Sequence, residues 1–366
     1  MKKNLFLILL FLLPGFMVAQ ERSSVKENRQ DYRFFTGTYT QGKSEGIYEV
    51  SMSREGKLLY CRLVAKTKNP SFLALGPGKK FLLAVNENNP GTVESYAVHG
   101  DTLQRISRRR SGGNAPCYVS VNREGYVLTA NYGSGTVGLL KLDKTGNLSK
   151  LLFVENHNST GKIAHAHEAL FLPDTPQVVS VDLGTDQLWF SRLGADGKKL
   201  IPDGQRTLAL TPGSGPRHFV LYPNGKWMYV ADELGNTVSI VHKTAAGQWV
   251  LEKTVPTLPA GFKGKSYCGE IRITKDGRFL YVSNRGYNTL SLFRISPGGD
   301  DLKLMANIPV HGNFPRFFVL TPDENYLLVA NQKSGNIVVF RRNKQTGLLQ
   351  YTDEMEMSSP VCMVFF

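Results

Sequence analysis

The stretch GPRHFVLYPNGKWMYVADELGNTVSIVHK, residues 215–243, decides the fold. It holds three short β-type runs, FVLY, WMYVAD and TVSIV. Pro223-Asn224-Gly225 and Leu234-Gly235-Asn236 punctuate them. Short apolar-rich runs broken by Gly, Asn and Pro read as consecutive antiparallel strands, because those residues supply the backbone angles that tight turns demand. No helical period competes with this reading.

The same pattern recurs with variation in units that start at Asn69, Ala115, His165, Gly215, Cys268 and Phe314. Aligned on the second residue of each (Pro70, Pro116, Ala166, Pro216, Gly269 and Pro315), the units lie 46, 50, 50, 53 and 46 residues apart. A period of roughly 40–50 residues built from short strands is that of a β-propeller blade. The two ends supply one more unit. SPVCMVFF at 359–366 matches a first strand with nothing after it, and RFFTGTYTQGKSEGIYEVSM at 33–52 matches second and third strands with no first. Joined, they make a seventh blade and leave no open edge to the ring. The expected fold is all-β: a seven-bladed β-propeller over residues 31–366, its ring closed by N- and C-terminal strands that share one blade.

Upstream, MKK followed by NLFLILLFLLPGFMV and a Val-Ala-Gln junction reads as a signal peptide over 1–19, cut after Ala19. Residues 20–30 form a short linker. The apolar run is short for a membrane span and contains Pro14, so an exported chain with no stable membrane insertion is expected, periplasmic or extracellular. Loss of Lys2 and Lys3 lowers the formal charge from +14 to +12. A basic surface favours anionic partners, whether small acids, polyanions or membrane faces. The run Arg108-Arg109-Arg110 has no interleaved aromatic residues, and nucleic acid is not an expected partner. Cys61, Cys117, Cys268 and Cys362 form no C-x-x-C pair and are read as free thiols, with no His at zinc-ligand spacing. No metal and no cofactor is called for.

In a propeller, the first strand of each blade lines a central channel, and its start meets the end of the second strand at one rim. Arg217 and Glu233 are each eight residues from Gly225, which places them opposite each other in an unbroken hairpin, with Cβ atoms roughly 4.5–5.5 Å apart. The slot after the Pro-like position holds Ser71, Cys117, His167, Arg217, Glu270, Arg316 and Val361 around the ring. The slot that follows the Asn or Asp ending each second strand holds Tyr39, Glu87, Tyr132, Leu183, Glu233, Arg285 and Gln332. An isolated Arg217–Glu233 pair on the surface would be worth ~0–1 kcal/mol and mean little. The clustering of His165, His167, Arg217, His218, Glu233, Glu270, Arg285 and Arg316 in one sector is a different signal. Guanidinium groups bind carboxylate or phosphate, and a nearby His or Glu can move a proton. By strand alternation His218 falls on the opposite face from Arg217 and supports the site rather than performing chemistry. The recurring Asn86, Asn131, Asp182, Asp232, Asn284 and Asn331 are read as structural, and His99 and His311 as surface residues.

HAHEALFLPD, SGPRHFVLYPNGKWMYVADELGNTV, GRFLYVSNRG and FPRFFVLTPDENYLLVANQKSGNIVVF together resemble the seven-bladed propeller lactonase family, which includes 6-phosphogluconolactonases and carboxy-muconate cyclases. The resemblance implies a site at the channel mouth with His167, Arg217, Glu233 and Arg285 as its catalytic residues. His165, His218, Glu270, Arg316, Glu87 and Gln332 are the expected substrate-binding neighbours. One departure is Arg272, where many relatives carry His, a change expected to bear on specificity. The reading is an exported, metal-independent lactonase acting on an acidic or phosphorylated sugar lactone. Arg217 and Arg285 hold anionic oxygen, His167 is favoured as base, and Glu233 as orienter. A muconate-type cycloisomerase, or a non-enzymatic propeller that binds a sugar acid or a protein, would use the same groups. A calcium-dependent propeller would need a carboxylate-rich centre, which the arginines argue against.

Overall fold

Seven four-stranded antiparallel sheets follow one another around a ring in the computed structural model, which describes residues 31–366 apart from 101, 159 and 160. The leader and linker expected at 1–19 and 20–30 lie outside the described residues. Asp31–Phe366 forms one compact unit. Blades 2 to 7 are consecutive in sequence, with inner strands Leu73–Leu75, Pro116–Val121, Ala166–Phe171, Pro216–Leu221, Tyr267–Ile273 and Pro315–Leu320. Blade 1 is the composite one. Its inner strand, Pro360–Phe365, pairs with Tyr32–Thr38 in the register Phe34↔Phe365 to Gly37↔Cys362, and the rings of Phe35 and Phe366 stack at 4.1 Å.

Each blade packs face to face on the next, so its middle strands are buried on both sides and read as apolar runs rather than strict alternation. Phe279–Arg285 of blade 6 is buried along its whole length. Between blades 5 and 6, Tyr229, Ala231, Val238 and Ile240 pack on Ile271, Leu280, Val282 and Phe293. Burying each large apolar side chain contributes about 1.5–3 kcal/mol relative to leaving it exposed. Outer strands are charged instead. Arg108-Arg109-Arg110 ends the outer strand Thr102–Arg110 of blade 2, where Arg105 and Arg108 pair with the buried Glu94 at 3.1 and 3.5 Å. Such charge discourages pairing along an exposed edge. The four cysteines are free thiols, three of them buried.

The inner strands differ from the expected hairpin in one repeated detail. In blade 5, Pro216 pairs with Asp232 and His218 with Ala231, so Arg217 is an extra residue in a β-bulge and has no register partner. Cys117, His167 and Arg316 are the corresponding extra residues of blades 3, 4 and 7. Arg217 and Glu233 are therefore not cross-strand partners. A bulge also re-aims the side chains around it, and this overturns the placement of His218 on the opposite face.

The register corrects the phase of blade 6 as well. Cys268 pairs with Asn284 as Pro216 pairs with Asp232, so Cys268, not Gly269, holds the Pro-like position. Gly269 then occupies the slot of Arg217, and Glu270 that of His218. A Cβ at Gly269 would lie 2.5 Å from Ser283 Oγ. That hydroxyl accepts the Glu270 N–H at 2.9 Å, so the close approach keeps the bulged backbone satisfied.

Candidate active site

At the mouth where inner strands begin and second strands end, the bulges and the residues after each Asn or Asp converge. Glu233 sits just beyond Trp227–Asp232, its N–H bonded to Gly215 O at 2.7 Å and its carbonyl accepting the Cys268 N–H at 3.1 Å. Its Oε2 bridges two guanidinium groups, Arg217 Nε at 3.2 Å and Arg285 Nη2 at 2.6 Å. Arg217 Nη1 also donates to Gly269 O at 2.8 Å, and Arg285 Nη2 to Cys268 O at 2.7 Å. Both cations are thus anchored on the bulged inner strand of blade 6. The expected Arg217–Glu233 contact exists, but the bulge and the shared carboxylate make it, not a flat register.

His167 is buried, and its Nδ1 has no hydrogen-bond partner. Its ring meets His218 edge to face at 5.0 Å and Tyr132 at 5.8 Å. Burial, reinforced by Arg217, His218, Arg316 and Arg285, holds its imidazole well below the usual range. It is therefore neutral at pH 7, with a lone pair to offer. For Glu233, burial works against ionisation, but Arg285 and Arg217 outweigh it and keep the carboxyl below its ordinary value. Burial also draws Arg285 down to about 10, with Glu233 opposing it, so it remains charged at neutral pH.

His218 lies with Arg217 rather than behind it, since Arg217 Nη1 is 3.1 Å from its Nδ1. The same Nδ1 is 3.2 Å from Glu270 Oε2. Glu270 belongs to the layer below the mouth. Burial opposes its charge, yet Arg272 and His218 hold its carboxyl at about 2. Burial and Arg217 lower His218 to about 4. Arg316 lies over the Tyr39 ring at 5.3 Å, and Tyr39 in turn donates to Glu87 Oε2 at 2.8 Å. His165 stacks on Tyr132 at 4.4 Å with Nδ1 2.9 Å from Tyr132 O, at the outer lip. Gln332 Oε1 is buried and unpartnered. Of the ten expected residues, eight therefore ring or edge one mouth, and His218 and Glu270 support it from the layer beneath. Arg272 does not reach the mouth; it faces the other end of the channel.

The expected structural role of the recurring Asn and Asp is met: Asn131 Nδ2 donates to Ser111 O and Thr136 O, and Asp232 Oδ2 accepts from Thr237 and Ser239. His99 and His311 are exposed. Several residues went unrecognised. Ser71 Oγ is buried with no partner in the bulge layer. Phe314 precedes Pro315 with φ of 66°, a left-handed conformation costly for a bulky side chain, and its ring lies under Arg285 at 5.3 Å. Phe72, Tyr118, Glu168 and Phe317 fill the channel beside His218 in the layer below the mouth, with Phe72 against Tyr118 at 4.0 Å and Glu168 accepting the Phe219 N–H at 2.6 Å. The readable signal was a pair of consecutive channel-facing residues, as in His167-Glu168 and Arg217-His218, that breaks period-two alternation.

Three guanidinium groups thus face two carboxylates, Glu233 and Glu87, leaving the mouth one positive charge in excess. Among the described residues, no group of three His, Cys, Asp or Glu side chains stands where it could hold a metal ion. No helix of the described residues is long and apolar enough to cross a membrane.

Residues 33–365 match the family model described as lactonase, 7-bladed beta-propeller. The chain belongs to this lactonase family. A 6-phosphogluconolactonase of Bacillus subtilis is 34% identical over 346 residues, which cover 91% of this chain and 98% of that protein. A 6-phosphogluconolactonase of Formosa agariphila is 31% identical over 86% of this lactonase and 94% of its own length. The solved structure of a periplasmic gluconolactonase of Pseudomonas aeruginosa superposes with a TM-score of 0.87 at 31% identity, covering 92% of this chain and 99% of that one. Lactonases are hydrolases that open cyclic esters, and this chain is one by membership.

Proposed function

We propose that this lactonase is exported and hydrolyses an acidic or phosphorylated sugar lactone at the Arg217–Arg285 mouth, with no metal in the reaction. One observation carries the reading. His167 Nδ1, Arg285 Nε, Ser71 Oγ and Gln332 Oε1 are buried side-chain atoms without hydrogen-bond partners, and their repeat positions belong to one mouth. Unpaired buried polar groups are costly, so a cluster of them marks where a ligand completes the bonding.

In this mechanism the lactone carbonyl oxygen points at the guanidinium pair, which stabilises the charge that develops on it. His167 takes a proton from water through the unpartnered Nδ1 as the water oxygen attacks the carbonyl carbon. Collapse of the tetrahedral intermediate breaks the bond to the ring oxygen. That oxygen leaves with the proton from the imidazolium, and the product is the open hydroxy acid. Glu233 holds the two arginines in place and, kept ionised by them, is the weaker base of the two. The excess positive charge and Arg316 favour a substrate that carries a carboxylate or phosphate. Export rests on the leader read at 1–19 and agrees with the periplasmic description of the Pseudomonas relative.

The test is pH-stat hydrolysis of 6-phosphoglucono-, glucono- and glucaro-lactones by the purified mature protein, with and without chelator. Saturable turnover above the enzyme-free rate, unchanged by chelator, is expected. Rates equal to the blank on every lactone would remove the proposal.

A further inference from the structure

We infer that the far mouth of the channel is a second binding site, one that takes a small apolar monocarboxylate with its carboxylate on Arg272. This goes beyond the lactonase reading and does not depend on it. The inner strands end around an open cavity of about 530 Å³, whose lining includes Phe72, Tyr118, Arg272, Lys275, Phe317 and Val319. That volume is ordinary for a small-molecule site. The plug of Phe72, Tyr118, His218 and Phe317 separates it from the catalytic mouth, because Phe72 touches rings from both sides of the channel, His218 at 6.0 Å and Phe317 at 5.9 Å.

Arg272 is a cation on the wall of this funnel, which Ser120, Lys275, Thr321 and Glu324 also line. Its Nη2 leans on Glu270 Oε2 at a loose 3.6 Å, and its guanidinium lies 5.3 Å from the Phe317 ring centre. Its Nε is buried and has no hydrogen-bond partner. A third of the side chain remains open to the cavity, at 33% exposure. An inward-facing cation with an unspent donor, on aromatic walls, fits an anion with an apolar body. Of the nearby carboxylates, Glu270 is ionised and offsets part of the Arg272 charge, which leaves the free Nε as the donor for a ligand. Glu324 is engaged by the Lys275 N–H at 2.8 Å and by Arg342 at 3.1 Å. Burial pushes Glu168 up to about 8, so it adds little fixed charge at neutral pH. A polar sugar would leave its hydroxyls unpaired against Val319, Phe72 and Leu75. The apolar acid is therefore the better match.

Calorimetric titration of the full mature protein with benzoate, without lactone, tests the site. The expected result is saturable one-to-one binding, weakened at least tenfold in Arg272→Met and lost in Val319→Trp, which fills the funnel and leaves Arg272 in place. Gluconate at saturating concentration should not displace benzoate. Absence of saturable binding to the native protein would overturn the inference, as would equal binding by both variants or displacement by gluconate. If Arg272→Met does not fold, Val319→Trp and the gluconate competition decide alone. Failure here leaves the lactone assay untouched, since no step reads turnover.

Discussion

Two buried histidines in neighbouring parts of the ring have opposite surroundings. His157, between blades 3 and 4, is enclosed by partners: Nδ1 is 3.0 Å from Asp182 Oδ2, Nε2 is 3.5 Å from Glu155 Oε2, and the ring stacks on Trp189 at 4.2 Å. Burial works against its charge, but Asp182 and Glu155 outweigh it and raise its pKa above the usual imidazole value. His167 is equally enclosed, yet its neighbours are arginines, its pKa moves down, and Nδ1 is left empty. Burial is common to both, so it does not mark function. What separates them is whether the protein itself completes the bonding. His157 also reaches the site indirectly, since Asp182 Oδ1 accepts the His165 N–H at 3.0 Å at the lip.

The contrast is open to direct attack. His167→Asn should lower kcat/KM on a lactone by about 10²–10⁴, the usual contribution of a positioned base, with thermal unfolding nearly unchanged. A variant that keeps full activity would erase the distinction. His157→Asn should do the reverse. It leaves Asp182 and Glu155 without their buried partner and should lower the unfolding free energy by about 3–5 kcal/mol, while the folded fraction keeps kcat. Denaturant titration beside an activity assay separates the two effects.

A smaller effect is the response to pH. A histidine whose folded pKa is raised contributes stability that is fully present below its unfolded value of about 6.5 and is lost as pH rises through the folded value. The gap in melting temperature between native protein and His157→Asn should therefore narrow as pH climbs from 6 toward 9. A constant gap would show that His157 acts only by packing. For His167 the sign is opposite. Its folded pKa is depressed, so it is already the free base at pH 6, and kcat/KM should stay flat from pH 8 to 6 and fall only in stronger acid. A decline beginning near pH 7 would point to another base.

Much of this was legible in the chain. Six repeats and two half-repeats dictate seven blades and their closure, because strand alternation and turn chemistry are local properties. The charged sector was legible too, as a departure from a repeating template. The bulge was not. One extra residue leaves the apolar face and the turns unchanged, so the hairpin reads as regular while Arg217 slips out of register and His218 turns toward it. In blade 6, Cys268 in place of Pro hid the true phase and put Glu270 one slot too high. Arg272 was visible only as a departure from relatives, and its position at the far mouth follows from strand direction and register.

If the unsatisfied groups at the upper mouth form the lactone site, removing Arg217 and Arg285 together tests it most directly. Hydrolysis of 6-phosphoglucono- and glucono-lactone is compared for native protein and Arg217→Ala/Arg285→Ala, with melting temperatures recorded on the same samples. Loss of at least about 10³ in kcat/KM by a folded double variant is the predicted result. Undiminished hydrolysis by that folded variant would contradict the account.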